Sequence, residues 1–597
     1  MRSRVGAVDR VIVFGLLPLV ALVLLWRRSL SSHDWREALV AAAVSGGLLV
    51  LVGTEGLSLI AQLRFLPLAL FWSTVSIGAA IAVFMRKAIK RTQIPRINGT
   101  IAIASTPLVA VAGTTLLVAL VAPPNTFDSM TYHMARVAHW VYQGSVNDYP
   151  TETLRQLYQP PWAEFAITHL QVLTGGDRFA NLVQWSCMVG SLIGVSLIAR
   201  ELGACVRGQY FAALMAATLP MGILQASSTQ NDYVESFWMV CAVFYALRMR
   251  TQSTVATTSA LGASVGLALL TKGTAYIYTL PILAIAAWWL VRRNKIESWR
   301  PLAVLAIIVL AINTSAWLRN ISVFASIFGP RETYTNQAFS APALASNVIR
   351  DVSVQIGTPF RTVNHEIARA ISEAHWKLGI GLNDPRTTFQ GVHFQVNPLR
   401  PDEDSTPNPI HFLLLLLAAV ITLTYLRRLR VYAMYLGGLL GAFLLFALWL
   451  RWQPWHSRLE LPLTVLATPF TAGVFSVIWS RRVIAAICVI PFLAAIPWLL
   501  GPSIRPLIGP RSIFLNPRSA IYFYARPELR GLYQETADLA HLADCRVIGI
   551  DGNEDSWEYP LWVYLGKNCH VVPVHPVPST AHLGHSNTQP CATLIAP

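Results

Sequence analysis

The stretch PPNTFDSMTYHMARVAHWVYQGSVNDYPTETLRQLYQPPWAEFAITHLQVLTGG, Pro123 to Gly176, is the first long polar interval in a chain otherwise built of apolar runs that could each span a bilayer. Asp128 stands where a membrane helix should leave the bilayer. After it, Met130, Met134, Val137 and Val141 recur at helical spacing. The pattern predicts a short amphipathic helix lying along the membrane surface, with Thr131, His133, Arg136 and His139 on its other face and Gly144 as its stop. A polar row that begins at an acid is the first candidate for chemistry.

The composition around this stretch sets the class of protein. With 597 residues, 54% hydrophobic and only 13% charged, the chain is too apolar for a soluble multidomain protein and fits an integral membrane protein. Its net charge of +16 is scattered in short clusters between apolar runs, which reads as membrane topology and excludes a nucleic-acid surface. The run from Val11 to Trp26 is followed by Arg27 and Arg28 without a small-residue cleavage site, so it reads as a retained anchor. None of the seven cysteines shows zinc or redox spacing; Cys187, Cys205, Cys241 and Cys488 read as apolar packing residues.

Outward from the loop, runs near residues 11–26, 37–60, 66–85 and 100–122 precede it, and runs near 181–199, 208–226, 231–248, 256–271, 274–292 and 300–317 follow. Four more lie near 411–427, 431–449, 459–479 and 482–500, giving about fourteen helices. Arg86, Lys87, Lys90, Arg91 and Arg96, then Arg200 with Arg207, Arg248 with Arg250, and Arg292, Arg293 and Lys295 fall in alternate turns. Arg427, Arg428 and Arg430, then Arg481 and Arg482, continue the series. The positive-inside rule makes those turns cytoplasmic and puts Asp128 outside. Parity then puts the N-terminus outside despite Arg2, Arg4 and Arg10.

The expected architecture is mainly α. N-terminal spans occupy 1–122, an external loop with interfacial helices 123–176, a transmembrane core 177–317, a second external segment 318–410, C-terminal spans 411–500, and an extracytoplasmic α/β domain 501–597. Within the last of these, Arg530 to Leu542 reads as helix, CRVIGID and CHVVPVH as buried strands, and Trp557 to Leu565 as an apolar element packed on them. Cys545 and Cys569 each open a strand, so parallel neighbours in an oxidising compartment predict a Cys545–Cys569 disulfide. The GIDGN turn lacks a GxGxxG fingerprint and gives little support to nucleotide binding.

At FDSMTYHMARVAHW and RQLYQPPWAEF the chain resembles the first external loop of the GT-C superfamily, membrane glycosyltransferases that use polyprenyl-phosphate sugars, and within it the glycosyltransferase 39 group of protein O-mannosyltransferases and aminoarabinose transferases. The resemblance implies that Asp128 is the catalytic base. It departs where the mannosyltransferases pair Asp with Glu, since Ser129 follows the acid here, and acceptor identity is not inherited. On the residues alone, Asp128 also fits an N-cap. TKG around Lys272 and HSRLELP around Arg458 resemble further motif elements, and with Arg319 in WLRN they are the candidates for holding the donor phosphate. Basic residues at helix ends also snorkel to the interface.

His133 and Arg136 on the loop helix, and Asp232 beside Asn231 and Glu235, are secondary candidates; Asp232 reads equally as a capping residue, an acceptor ligand or a cation ligand. No cofactor is specified by the sequence, no metal ligand set is assigned, and a divalent cation is left open. Most Trp and Tyr, including Trp452 and Trp455, read as the interfacial belt, with some available to stack on sugars.

The functional expectation is an inverting transferase that moves a sugar from a polyprenyl-phosphate donor to a glycan, lipid or protein acceptor, with the bilayer as partner and no nucleic acid. It would reside in a bacterial cytoplasmic (inner) membrane with its site facing the periplasm or exterior. The competing expectation is a transporter or flippase of polyprenyl-linked glycans. The ionisable residues gather at the outer ends and no paired halves are visible, which favours the transferase. A scaffold would not need an acid-led loop.

Overall fold

The computed structural model describes residues 13–85, 99–252, 254–294, 299–330, 334–566, 569–584 and 589–596. Each of the fourteen apolar runs is helical through most of its described length. Among the described residues, eight helices are long and apolar enough to cross a membrane, and Ser105–Val121, Val255–Leu269 and Pro409–Thr424 are shorter apolar helices. The chain is an integral membrane protein of mainly helical architecture with a small C-terminal sheet. The basic interval Arg86, Lys87, Lys90, Arg91 and Arg96, together with Arg2, Arg4, Arg10 and Lys295, lies outside the described residues.

Two spans differ from the sequence reading. The run 208–226 breaks into Val206–Ala217 and Pro220–Gln225, because proline has no N–H to continue the ladder and drives the residue before it, Leu219, out of the helical region (ψ 120°). The helix expected to end at 317 runs on as Trp299–Phe324, about two turns further.

The bundle is organised around Asp232–Met249, which packs against Leu182–Glu201, Val255–Leu269, Thr274–Asn294 and Leu461–Ile478. Small residues permit the closest approach, as expected where lipid removes the hydrophobic drive for helices to associate. A Cβ on Gly194 would lie 2.2 Å from Val240 Cγ1, and one on Gly190 2.5 Å from Phe237 Cε2. Outer helices leave residues such as Ile77, Ile307 and Ile490 exposed, as a lipid-facing surface requires.

At one end of the bundle Arg200 pairs with Asp34 and Glu37, and Arg248 reaches Glu37 at 3.0 Å and Glu201 at 3.3 Å. Asp232 opens the other end of the helix that closes near Arg248, about 24 Å away at the helical rise. The polar loop sits at the Asp232 end.

That loop corrects the expectation of a surface-lying amphipathic helix. Met134–Gln143 does end at Gly144, whose φ of 70° favours glycine. Its apolar stripe, however, is covered by protein: Met130, Met134 and Val137 share a core with Tyr522, Phe523, Tyr533 and Trp562 of the C-terminal region. The opposite face is buried as well, against Trp162–Thr174.

In the C-terminal region β1 (Val547–Asp551), β2 (His570–Pro573) and β3 (Ala592–Ile595) form a parallel sheet in the order β2-β1-β3. The predicted Cys545–Cys569 bridge is not formed: Cys545 is joined to Cys591, with Cα atoms 5.9 Å apart. Cys569 and Cys591 precede the two strands that flank β1, so the central strand offers Cys545 two neighbours. Cys569 remains a buried free thiol that donates to the Cys545 carbonyl at 3.5 Å.

Candidate active site

Asp128 is delivered to its position by the turn that precedes it. After Pro123 and Pro124, the Asn125 amide donates to the carbonyls of Ile504 (2.7 Å) and Ile521 (3.1 Å) and accepts from Arg505 (3.0 Å), which pins the loop to the chain leaving the last span. Ser129 Oγ lies 2.5 Å from Thr126 and 2.6 Å from Thr229, so the residue after the acid ties the loop to the start of the central helix. The backbone then makes a π-type turn, Ser129–His133, a form that recurs at functional sites. Asp128 occupies the capping position but makes no capping hydrogen bond. Its carboxylate faces a cavity of about 1310 Å³.

There Asp128 meets cations. Oδ2 lies 2.8 Å from Arg458 Nη2, Oδ1 lies 3.8 Å from Arg155 Nη1, and the Tyr132 hydroxyl is 3.5 Å from Oδ2. Arg458 bridges onward to Asp404 at 2.7 Å, and Asp404 also accepts from Gln230 at 3.2 Å. Lys272 lines the same cavity, its ammonium held by the fully buried Asp232. Arg155 is steered by the C-terminal region, donating at 2.7 Å to both the Glu554 carbonyl and the Asp555 carboxylate.

The electrostatics separate the two acids. Burial alone would raise the Asp128 pKa, but Arg458, then Arg155, with His133 and Lys272 further out, hold it down to about 2. For Asp404 burial prevails: Arg458 lowers its pKa, the negative charges of Asp128 and Asp402 oppose that, and the net shift is upward. A pair of carboxyls pushed apart in this way can divide acid and base roles. Asp128 is the stronger acid of the two.

The other predicted residues are distributed differently. Arg319 is on the cavity wall, but its guanidinium is committed to both oxygens of Glu55, at 2.8 and 3.0 Å. Asp232 lies beneath Lys272 and does not line the cavity. His133 is buried against Glu164 at 2.5 Å, away from the cavity lining. Arg136 is a structural residue: fully buried, it donates to the backbone carbonyls of Gln156, Leu157 (3.0 Å) and Gln159 (2.8 Å) and so shapes the segment that carries Arg155.

Arg155, Asp404 and Tyr132 were missed by sequence reasoning. Arg155 opens the quoted RQLYQPPW, and Asp404 lies in the acidic PDEDS run that reads only as loop. Among the described residues, no group of three or more His, Cys, Asp or Glu side chains is gathered to hold a metal ion.

Residues 158–318 match the family of dolichyl-phosphate-mannose-protein mannosyltransferases. The match opens inside the polar loop and takes in Asp232 and Lys272, but not Asp128 or Arg458. It agrees with the resemblance read from the loop and supports a membrane glycosyltransferase of the GT-C type. Among solved structures, ArnT from Cupriavidus metallidurans, bound to undecaprenyl phosphate, is 16% identical over 78% of this chain and 86% of its own, with a TM-score of 0.43. The oligosaccharyltransferase AglB from Archaeoglobus fulgidus, in complex with an inhibitory peptide and a dolichol-phosphate, is 12% identical over 80% of this chain and 65% of its own, with a TM-score of 0.40. No curated protein matches the sequence.

Proposed function

We propose that the protein is an inverting glycosyltransferase that moves a sugar from a polyprenyl phosphate to an acceptor hydroxyl on the outer face of a bacterial cytoplasmic membrane. The observation that carries this reading is the ionised Asp128 held at 2.8 Å from Arg458 in a cavity shared with Lys272. The donor phosphate binds Arg458 and Lys272, and its prenyl tail leaves along the apolar wall of Ile277, Leu280, Leu445 and Leu448.

A carboxylate with so low a pKa is a poor base in the resting site. Donor binding changes that, because the phosphate competes for Arg458, withdraws the charge that stabilises Asp128, and frees an oxygen for the acceptor hydroxyl. The acceptor oxygen then attacks the anomeric carbon as its proton passes to Asp128. The bond from that carbon to the phosphate oxygen breaks in line, and polyprenyl phosphate leaves with the bonding electrons, its charge met by Lys272 and Arg458.

Asp128→Asn is the test. It should retain the fold and bind undecaprenyl phosphate at least as tightly as the wild type, since the carboxylate that competes for Arg458 is gone, yet lose at least about a hundredfold in transfer, the lower bound for general-base catalysis. Transfer is read by mass spectrometry of envelope glycans and lipid carriers, where cells carrying the variant should accumulate the sugar-charged lipid. Near-normal transfer by the folded variant would remove Asp128 as base.

A further inference from the structure

Part of the cavity wall is not used by the chemistry above. Tyr334, Phe389 and Trp455 line it with Gln453 beside them. They come from separate segments fastened through their backbones: Arg451 N donates to Tyr334 O at 2.9 Å, Trp452 N to Thr387 O at 2.8 Å, and Phe389 N to Trp452 O at 2.9 Å. The Tyr334 and Phe389 rings stack at 5.4 Å, and Phe389 meets Trp455 edge-on at 5.5 Å. All three rings remain partly exposed.

The polar atoms of this wall narrow its occupant. Gln453 is 1% exposed, yet its Oε1 has no hydrogen-bond partner among the described residues, and the same holds for Asn231 Oδ1 elsewhere on the cavity lining. A buried amide oxygen needs a donor. A phosphate has no hydrogen to give at this position, and an acyl chain would leave the oxygen unmet. A peptide strand would seek backbone N–H groups along the rim, of which those of Phe389, Arg451 and Trp452 are already spent in fastening it. A sugar ring offers what remains: hydroxyls for the amide oxygens and a face of C–H bonds for the electron-rich faces of aromatic rings. Position agrees, since Trp455 is one turn before Arg458, the residue in contact with Asp128.

We propose that Tyr334, Phe389, Trp455 and Gln453 form the acceptor subsite, and that the acceptor is a carbohydrate. This rests on the transferase reading, and the experiment separates the two. Full-length protein in nanodiscs is titrated with oligosaccharides of glucose, mannose, galactose, arabinose and N-acetylglucosamine, with an unglycosylated Ser/Thr peptide, and with undecaprenyl phosphate, and binding is read by saturation-transfer NMR. At least one oligosaccharide should show saturable contact through its ring protons. Trp455→Leu and Phe389→Ala should weaken it tenfold or more and Trp455→Phe should largely restore it, while undecaprenyl phosphate binds every variant as it binds the wild type.

Absence of binding by every oligosaccharide, undiminished binding by the variants, or displacement of the sugar by the peptide would overturn the proposal. If the variants instead weaken only a sugar-charged donor, the wall belongs to the donor sugar and the acceptor assignment falls. Failure of the wild type to bind undecaprenyl phosphate would count against the polyprenyl-phosphate reading and leave the saccharide result standing.

Discussion

Asp128 and Arg458 restrain each other, and that has consequences for pH. With its pKa held down to about 2, against 3.8 unperturbed, Asp128 contributes stability that is complete above about pH 3.8 and lost as pH falls toward 2. Catalysis should behave differently once donor has drawn on the Arg458 charge. The acid limb of kcat, which reports the complex, should lie at higher pH than that of kcat/KM for the donor, which reports the free enzyme. Coincident limbs would show that the phosphate does not compete for Arg458. Arg458→Ala should cost about 3–5 kcal/mol of stability, because it strands the buried Asp128 carboxylate and takes the ion-pair partner from the partly exposed Asp404. Adding Asp404→Asn should recover part of that cost but not donor binding, and thermal melts beside undecaprenyl phosphate titrations would check both. Asp128 was legible in the sequence through the motif around it, because on the residues alone an acid at that place also fits an N-cap. Arg155 and Asp404 were not, since each is brought in by a loop whose path depends on distant partners, Asp555 for the first and Arg458 for the second.

At the scale of elements, the apolar runs revealed the spans because a bilayer demands continuous hydrophobic length, and little else in a sequence mimics that. The loop helix shows the limit of such reading. Its stripe of Met130, Met134 and Val137 announces that something apolar covers it, but a lipid surface and the rings of Tyr533 and Trp562 make the same demand on the pattern. The third strand, Ala592–Ile595, is four residues long and escaped notice, and the partner of Cys545 went with it. Helix contacts were not legible, because the glycines that allow them have no pattern of their own. Gly194→Leu should push Leu182–Glu201 away from Val240, cost about 1–3 kcal/mol and displace the central helix that carries Asp232. Gly78→Ala, with nothing within 4 Å of the added methyl, should be neutral or slightly stabilising. A melting series in one detergent compares the two, and equal melting temperatures would refute close packing at Gly194.

For the whole molecule, a division at residue 501 follows the loss of membrane character in the sequence, but the physical division lies elsewhere. The C-terminal region and the polar loop share one core, and Asp177 of the membrane half binds Arg518 at 2.9 Å, Tyr522 at 2.5 Å and Tyr559 at 3.0 Å. His139 reaches Glu558 at 2.6 Å, and Asp555 holds the Arg155 that faces Asp128. The region is therefore the second half of the site's support. Ending the chain after Pro517 keeps every described span and the contacts of Arg505 with Asn125 and Glu403, yet uncovers the stripe of the loop helix and releases Arg155. The shortened protein should still enter the membrane, lose transfer by at least the hundredfold expected of Asp128→Asn, and be cut by trypsin at Arg136 or Arg155, which the intact fold protects. Membrane fractionation followed by limited proteolysis reads all of this from one preparation. A truncated chain whose loop resists trypsin as the full-length protein does would mean that the loop folds on the membrane half alone, and that the contacts with the C-terminal region follow its folding rather than create it.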